Sequence, residues 1–351
     1  METKENYQRY LIGQHESVHR ALQMLDELAS DAVLFVVNQD LVLIGSLTDG
    51  DLRRGFIKGL TLSNPLMDFI FSHPKFIREG ENALAQIVEF RKKHIMIVPV
   101  LDHQNKVIRV LNLKHHKSFL PIDAVIMAGG RGERLKPLTD SMPKPLLPIA
   151  GKPIIEYNLD RLKDFGISNV WLTVNYLGEQ IKERFKDGSD RSMCINYVEE
   201  ADFLGTAGAL SMIEDFSQDT VLLMNSDLLT NINFEEFYLF FQEQKADLAV
   251  ACISYQVNVP YAVLETDHFQ IKGFKEKPSY THFTNAGIYL MKKSWAESIP
   301  KDQFFNATDL MQNLIDAGKN VVAFPMLGYW LDIGKHDDYQ KAQEDIKHIQ
   351  L

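Results

Sequence analysis

The segment Asp123-Ala-Val-Ile-Met-Ala-Gly-Gly-Arg-Gly-Glu-Arg-Leu-Lys-Pro-Leu-Thr-Asp-Ser-Met-Pro-Lys-Pro-Leu-Leu-Pro-Ile149 joins an apolar run to a glycine-rich, basic loop. Ala124 to Ala128 carries no polar side chain, as a strand buried on both faces of a parallel sheet requires. It gives way at Gly129-Gly130-Arg131-Gly132, where three glycines in four residues let the backbone turn tightly and bring bare N–H groups close to a ligand. Arg131, Arg134, Lys136, Lys144 and Lys152 follow, against only Glu133 and Asp140. A buried strand that empties into a glycine-rich, cationic loop is where an α/β protein holds polyphosphate.

Two common phosphate loops are excluded. No Gly-Lys-Ser/Thr follows four spacers, so this is no Walker loop. Leu135 stands where a dinucleotide fingerprint needs its third glycine. Gly-Gly-x-Gly-x-Arg-Leu with Pro-Lys-Pro-Leu-Leu-Pro downstream instead resembles the signature of the sugar-1-phosphate nucleotidyltransferases, and the resemblance runs from Asp123 to the C-terminus. It implies an α/β fold for residues 119–351: a Rossmann-like (GT-A type) mixed sheet with helices on both faces. It also implies nucleotide binding by Ala128, Gly129, Gly130, Arg131 and Gly132, with Arg134 and Lys144 holding the triphosphate.

A chain of 351 residues has room for two domains, each with its own core. The formal net charge of −10 argues against non-specific nucleic-acid binding and against a polybasic membrane patch, so the phosphate-binding charge must be local. Cys194 and Cys252 match neither a disulfide framework nor a metal spacing and read as buried thiols of a reducing compartment. The start, Met1-Glu-Thr-Lys-Glu-Asn-Tyr-Gln-Arg, lacks a signal-peptide apolar segment, and no run is long enough to span a bilayer. A cytoplasmic protein is expected.

Residues 1–118 carry a divergent internal repeat. Val18, Ala21, Leu22, Leu25 and Leu28 mark one face of a helix over Ser17–Leu28. Strands Ala32–Val37 and Leu41–Ser46 follow, and a helix opens at Thr48 or Asp49. The pattern recurs with helix Ala83–Phe90, strand His94–Leu101, a turn at Asp102–Asn105 and strand Val107–Leu113. The two units resemble a tandem pair of cystathionine-β-synthase (CBS) regulatory repeats. That resemblance implies a regulatory nucleotide at Gly45-Ser-Leu-Thr48-Asp-Gly-Asp51. There Thr48 and the helix amides would hold phosphate, and Asp51 would accept from ribose hydroxyls. Thr48 or Asp49 serves equally as a plain helix cap. Val107–Leu113 of the second unit has neither Thr nor Asp, so this motif supports one site at most. Asn112–Pro121, with Lys114-His115-His116, reads as the connector.

Beyond the loop, Pro153 suits the first position of a helix reaching Phe165, closed by Gly166. Val170–Val174, Glu179–Phe185 and Ile195–Val198 then alternate strand, helix and strand. Leu204-Gly205-Thr206-Ala207-Gly208-Ala209 resembles the family's second nucleotide motif, which implies a helix N-terminus at Gly205 and Thr206 approaching base and ribose. Glu200 falls where the family reads the base edge. Relatives handling uracil or thymine tend to carry glutamine there, whereas guanine offers two adjacent donors that suit a carboxylate, so Glu200 favours GTP.

Val221–Met224 reads as a buried strand ending at Asn225-Ser226-Asp227, and an aspartate at the carboxyl end of a parallel strand faces the ligand crevice. Trp330-Leu-Asp332-Ile-Gly334 resembles the family's other metal motif, making Asp227 and Asp332 the expected Mg2+ ligands. Strands at Leu248–Ser254, Tyr261–Glu265 and Ile271–Glu276 lead to Glu276-Lys277-Pro278. In the family this glutamate binds sugar hydroxyls and this lysine the sugar phosphate. Asn285-Ala-Gly287, before the strand Ile288–Met291, resembles a further sugar-contacting segment. Tyr261-Ala262 departs from the usual Tyr-Gly and narrows the pocket. Thr308-Asp309 suits a cap for the helix through Ala317, and the last helix should pack Tyr339, Ala342 and Ile346 on one side.

The implied reaction is nucleotidyl transfer from an NTP to a sugar 1-phosphate, releasing pyrophosphate, with Lys144, Arg134, Lys277 and Asp227 as the catalytic set. With repeats in front, the whole chain resembles the guanylyltransferases of bacterial nonulosonic (legionaminic-type) acid pathways, which act on glucosamine 1-phosphate. The alternatives are a mannose-1-phosphate guanylyltransferase, a uridylyl- or thymidylyltransferase, and a silent nucleotide-sensing regulatory subunit. Both family resemblances imply a homo-oligomer. No left-handed β-helix hexapeptides follow, so no fused acyltransferase is expected.

Overall fold

The computed structural model describes residues 7–79, 84–114 and 117–349. The chain divides into two compact units, Met1–Phe119 with Asp164–Gly166, and Leu120–Lys163 with Ile167–Leu351. The expected helix start at Ala83 and the His115-His116 part of the connector lie outside the described residues. Among the described residues no helix is long and apolar enough to cross a membrane.

The first unit is one motif built twice. Its first half is β1 (Leu11–Gly13), α1 (Val18–Leu28), β2 (Val33–Val37), β3 (Leu43–Thr48) and α2 (Asp49–Ile57). Its second is β4 (Ile77–Arg78), α3 (Leu84–Lys92), β5 (Ile97–Leu101) and β6 (Val107–Asn112). In each half the first strand pairs parallel with the second and the second antiparallel with the third. The two antiparallel ladders slip at matching places, Val36/Val37 and Val100/Leu101. Ser17 starts α1 by accepting from the Arg20 amide at 3.1 Å, and Val18, Ala21 and Leu25 line its buried side. The halves join through the Val42–Lys106 bridge and a common core of Tyr10, Phe35, Ile97 and Leu101.

The second unit opens with β7 (Asp123–Met127), the short pair β8 (Pro148–Ile149) and β9 (Lys152–Pro153), α4 (Ile154–Asp164), β10 (Asn169–Val174), α5 (Gly178–Phe185) and β11 (Cys194–Glu199). There follow β12 (Thr220–Asn225), β13 (Leu228–Thr230), α6 (Phe234–Glu243), β14 (Leu248–Asn258), β15 (Val263–Asp267), β16 (Gln270–Lys275) and β17 (Ser279–Lys292). The unit ends with α7 (Lys293–Ala296), α8 (Ala307–Asp316), β18 (Val321–Pro325), β19 (Trp330–Asp332) and α9 (His336–Asp345).

Seven of these strands form one mixed sheet in the order β11-β10-β7-β12-β17-β14-β18, with β17 antiparallel to its neighbours. Four parallel strands in the order β11-β10-β7-β12 place a topological switch between β7 and β12, and ligands bind in the crevice at the carboxyl ends of such strands. Val125, Leu223, Val250 and Tyr289 pack on one side with Leu310 and Leu314 of α8. Their neighbours Ala124, Ile126, Leu222 and Leu290 are fully buried as well, so both faces of the sheet are covered.

Several local expectations change. Pro153 pairs with Pro148 in the β8–β9 ladder, and α4 begins one residue later. α8 is capped at Asn306, whose amide donates to Asp309 Oδ2 at 2.8 Å, so Asp309 is the reciprocal member of the cap and Thr308 lies inside the helix. Gly208–Met212 forms a five-residue 3-10 turn where a helix was expected. Cys194 is exposed, and only Cys252 is a buried thiol. β17 starts nine residues before the expected Ile288, because its first half pairs with the far end of β14 outside the core.

Candidate active site

The loop after β7 is held open by its neighbours. Ala128 continues the parallel ladder by donating to the Thr173 carbonyl at 3.0 Å. A Cβ at Gly129 would stand 2.9 Å from Glu200 Oε1, and one at Gly132, where φ is +62°, would meet Thr139 Cγ2 at 2.9 Å. Thr139 Oγ1 donates to the Gly132 carbonyl at 2.9 Å. Tyr176 donates to the carbonyls of Thr139 and Asp140 at 3.1 Å, and Gln180 to that of Ser141 at 3.0 Å. The Arg131 guanidinium lies 6.0 Å over the Tyr176 ring. Gly129–Gly132, Asn175 and Phe203 line a cavity of about 360 Å3, the size of a small-molecule site.

Glu200 is the buried carboxylate of this region, 6% exposed. Its Oε2 accepts from the Leu204 amide at 3.0 Å, and the Thr173 hydroxyl also donates to it. Asn175 donates to its carbonyl at 2.6 Å. Burial pushes its pKa above the usual glutamate value, partly offset by those two donors. A carboxylate has about four acceptor positions, so these two donors do not exhaust it.

The second cluster sits where β12 ends. The Ser226 amide donates to Met127 O at 3.2 Å and Asn158, buried on α4, donates to Ser226 O at 3.3 Å, fixing the Asn225–Asp227 turn beside the glycine loop. β13 then pairs antiparallel with β19, Leu228 opposite Asp332, and Ile333 N donates to Asp227 O at 3.1 Å. The two carboxylates therefore stand together. Lys144 forms an ion pair with Asp227. The Arg134 guanidinium packs against Gly334, 3.4 Å from where a Cβ would stand. Burial and the Asp227 charge push Asp332 up to about 6 against the pull of Lys144 and Arg134. Its Oδ1 is buried without a hydrogen-bond partner.

That orphaned oxygen is the feature a cation would satisfy. Among the described residues no group of three or more His, Cys, Asp or Glu side chains is placed to hold a metal. Two carboxylates are nonetheless what Mg2+ commonly takes from a protein when substrate phosphates complete its shell. The donor set fits a hard cation.

Gly287, at φ +71°, lies against this cluster, since a Cβ there would stand 2.6 Å from Asn225 Nδ2. Asn285 Oδ1 accepts from the Gly287 amide at 2.9 Å, and Trp330 donates to Ala286 O at 2.9 Å. Arg134, Lys144, Asp227, Asp332 and the Asn285–Gly287 turn thus share one edge of the sheet.

Other expected residues lie elsewhere. Glu276 and Lys277 are exposed between β16 and β17, Lys277 in a left-handed conformation at φ +43°. Gly205 is packed on the Phe305 carbonyl, and Thr206 Oγ1 accepts from the Ala307 amide at 2.9 Å, so Thr206 is bonded to the start of α8 and Gly205 lies against the residue before its cap. In the first unit Thr48 caps α2. Asp51 accepts from the Thr48 amide and hydroxyl and pairs with Arg54 at 2.6 Å, which leaves its carboxylate well supplied within the helix start. Asn175 and Phe203 belong to the cavity, and Tyr176 braces its loop; none of the three was singled out from the sequence. Asn175 directly follows Val174 at the carboxyl end of β10, the same placement that marked Asp227.

These features define a mixed α/β scaffold with a glycine-rich loop and a cluster of basic and acidic side chains at the carboxyl ends of its parallel strands. The Nucleotidyl transferase family profile matches residues 123–349, and the chain belongs to that family. It is 33% identical over 230 residues to the Bifunctional protein GlmU of Methanocaldococcus jannaschii, covering 64% of this chain and 54% of that one. It is 30% identical to a UTP--glucose-1-phosphate uridylyltransferase of Synechocystis, covering 65% of each. It is 29% identical to a mannose-1-phosphate guanylyltransferase of Mycobacterium tuberculosis, covering 64% of each. The chain thus spans between about half and two thirds of the length of these curated relatives. Among solved structures, HddC of Yersinia pseudotuberculosis superposes with a TM-score of 0.50 at 28% identity, over 64% of this chain and 99% of that one.

Proposed function

We propose that the chain transfers a nucleotidyl group, GMP from GTP in the favoured reading, to a sugar 1-phosphate, best matched by glucosamine 1-phosphate, with release of pyrophosphate. The observation that carries this is the convergence of Lys144, Arg134, Asp227 and Asp332 at the sheet edge where the Gly129–Gly132 loop emerges. The curated relatives supply the reaction class by family, and the mannose-1-phosphate guanylyltransferase among them is in keeping with a guanine nucleotide.

A sugar-phosphate oxygen attacks the α-phosphorus while the bond to pyrophosphate breaks on the opposite side. That nucleophile is ionised at neutral pH, so no general base is needed. Rate enhancement comes from placement and charge neutralisation. Arg134 and Lys144 balance the triphosphate and the loop amides orient it, while Lys277, on the exposed turn between β16 and β17, would have to swing in to meet the incoming phosphate. Glu200 accepts from the guanine edge through its free lone pairs. Asp227 and Asp332 would hold Mg2+, which when bound neutralises phosphate oxygens. Glu276, Asn285 and Gly287 would contact the sugar, and Gly205 and Thr206 support the nucleotide by holding the segment after Phe203. The repeated first unit reads as a CBS pair that takes a regulatory nucleotide at Thr48 and Asp51.

Pyrophosphate release with Mg2+, measured for GTP, ATP, CTP and UTP against a panel of sugar 1-phosphates, tests this reading. Turnover with GTP and glucosamine 1-phosphate is expected. Preference for UTP would overturn the base assignment, and silence of the folded protein across the grid would overturn the reaction.

A further inference from the structure

Phe203 and Phe304 form an exposed aromatic pair at the edge of the glycine-loop cavity. Their ring centroids stand 6.1 Å apart at 64°, edge to face, yet 51% and 60% of the two residues stay open to solvent. Phe203 lines the cavity together with Gly129–Gly132 and Asn175. Its own loop is short and closed. The Leu204 amide donates to Glu200 Oε2 at 3.0 Å and Asn175 donates to the Glu200 carbonyl at 2.6 Å, so Glu200 and Phe203 are carried on one fixed turn. Glu200 also abuts the glycine loop, its Oε1 lying 2.9 Å from where a Cβ on Gly129 would stand.

The ring pair is not needed to fasten this turn. Phe305 N donates to Leu204 O, and Ala207 N and Gly208 N donate to Phe305 O, each at 2.9 Å. Backbone bonds thus already zip the segment after Phe203 to the one after Phe304. What remains is a planar apolar surface at a concave site, with a buried carboxylate three residues away on the same turn. A nucleobase has the matching shape, an apolar π-face and a polar rim. A hexose, puckered and ringed by hydroxyls, matches that pair of surfaces less well. We propose that Phe203 is a base-stacking residue, its ring covering one face of the nucleotide base while Glu200 accepts from the edge, and that Phe304 positions it. The inference rests on the nucleotidyl-transfer reading and adds a contact that serves any base, because every base has a π-face. Phe203 then supplies affinity and Glu200 supplies choice.

Calorimetric titration of the full chain with Mg2+-bound GTP, ATP and UTP, with no sugar phosphate present, tests this. Phe203→Ala should weaken the nucleotide that wild type binds best by about tenfold or more, whereas Phe203→Tyr, which keeps the ring, should stay within about threefold. Phe203→Leu should behave like Phe203→Ala, since bulk without a flat ring does not stack. Both rings are exposed, so melting should hold in every variant. Phe304→Ala should weaken binding less, and should add nothing in a Phe203→Ala background, as expected of a residue acting through its neighbour. Full additivity would remove its positioning role. Wild-type nucleotide binding that Phe203→Ala leaves intact, or a loss confined to the KM for the sugar phosphate, overturns the stacking alone. Failure of folded wild type to bind any of the three nucleotides overturns the nucleotidyl-transfer reading as well.

Discussion

Asp227 and Asp332 are brought side by side by backbone pairing: Leu228 lies opposite Asp332, and the Ile333 amide donates to the Asp227 carbonyl. The ladder fixes the two carboxylates at short range although like charges repel, an arrangement that favours cation binding over folding stability. The two residues should therefore differ in what their removal does to the fold. Asp332→Asn relieves the repulsion and should melt no lower than wild type. Asp227→Asn leaves the half-buried Lys144 ammonium without its ion-pair partner and should lose about 1–3 kcal/mol. Both should lower turnover at least about a hundredfold, a loss of roughly 2.7 kcal/mol in transition-state stabilisation. Thermal denaturation beside pyrophosphate release separates the two effects.

Gly129 and Gly130 make different demands. A methyl on Gly129 would collide with Glu200 Oε1 at 2.9 Å, whereas one on Gly130 meets nothing within 4 Å. Gly129→Ala should displace Glu200 or the loop and raise the KM for the nucleotide by about tenfold or more, with some loss of stability. Gly130→Ala should melt within about 0.5 kcal/mol of wild type, and any weakening of nucleotide binding then reports a ligand in the open space beside it. Calorimetric titration with the nucleotide, alongside melting curves, distinguishes the two.

Much of this arrangement is legible in sequence because the strongest signals are local. Ala124–Ala128 has to be a buried strand, and the glycines after it have to form a loop at its carboxyl end, which places that end at the ligand crevice. The Asp227–Asp332 contact depends on the β13–β19 ladder, two three-residue strands too short to show a period, so only the motif resemblance signalled it. Asn306 was passed over for Thr308-Asp309 because the cap is reciprocal, and the acidic half of such a pair sits inside the helix.

Glu200→Gln tests the guanine assignment. Glutamine keeps one side-chain oxygen for the Leu204 amide, and its NH2 can donate to the Thr173 hydroxyl, which can turn to accept, so the fold should survive. It replaces an acceptor-only carboxylate with a group that also donates, which suits uracil better than the donor-rich edge of guanine. The kcat/KM for GTP should fall by about 10- to 100-fold while that for UTP rises or holds. An unchanged GTP-to-UTP ratio would remove Glu200 from base recognition and leave it as a brace for the segment leading to Leu204.

Asp247 supplies a pH dependence that belongs to the fold alone. Lys292 Nζ at 2.7 Å, the Asn320 amide at 3.0 Å and Trp295 Nε1 at 3.2 Å all donate to its carboxylate. These bonds overcome the opposing effect of burial and push its pKa from the ordinary 3.8 to about 2. A carboxyl that ionises more readily when folded binds fewer protons there, so its contribution is complete above the ordinary value and is lost as pH falls from 3.8 towards 2. Asp247→Asn should therefore be less stable than wild type by about 1–2 kcal/mol near neutrality, tying β14 less firmly to the Lys292 and Asn320 segments. The gap should narrow on acidification through that window. Denaturant melts of both proteins at pH 7, 5 and 3.5 would show it, and a gap that stayed constant with pH would mean that the aspartate acts there by shape rather than charge.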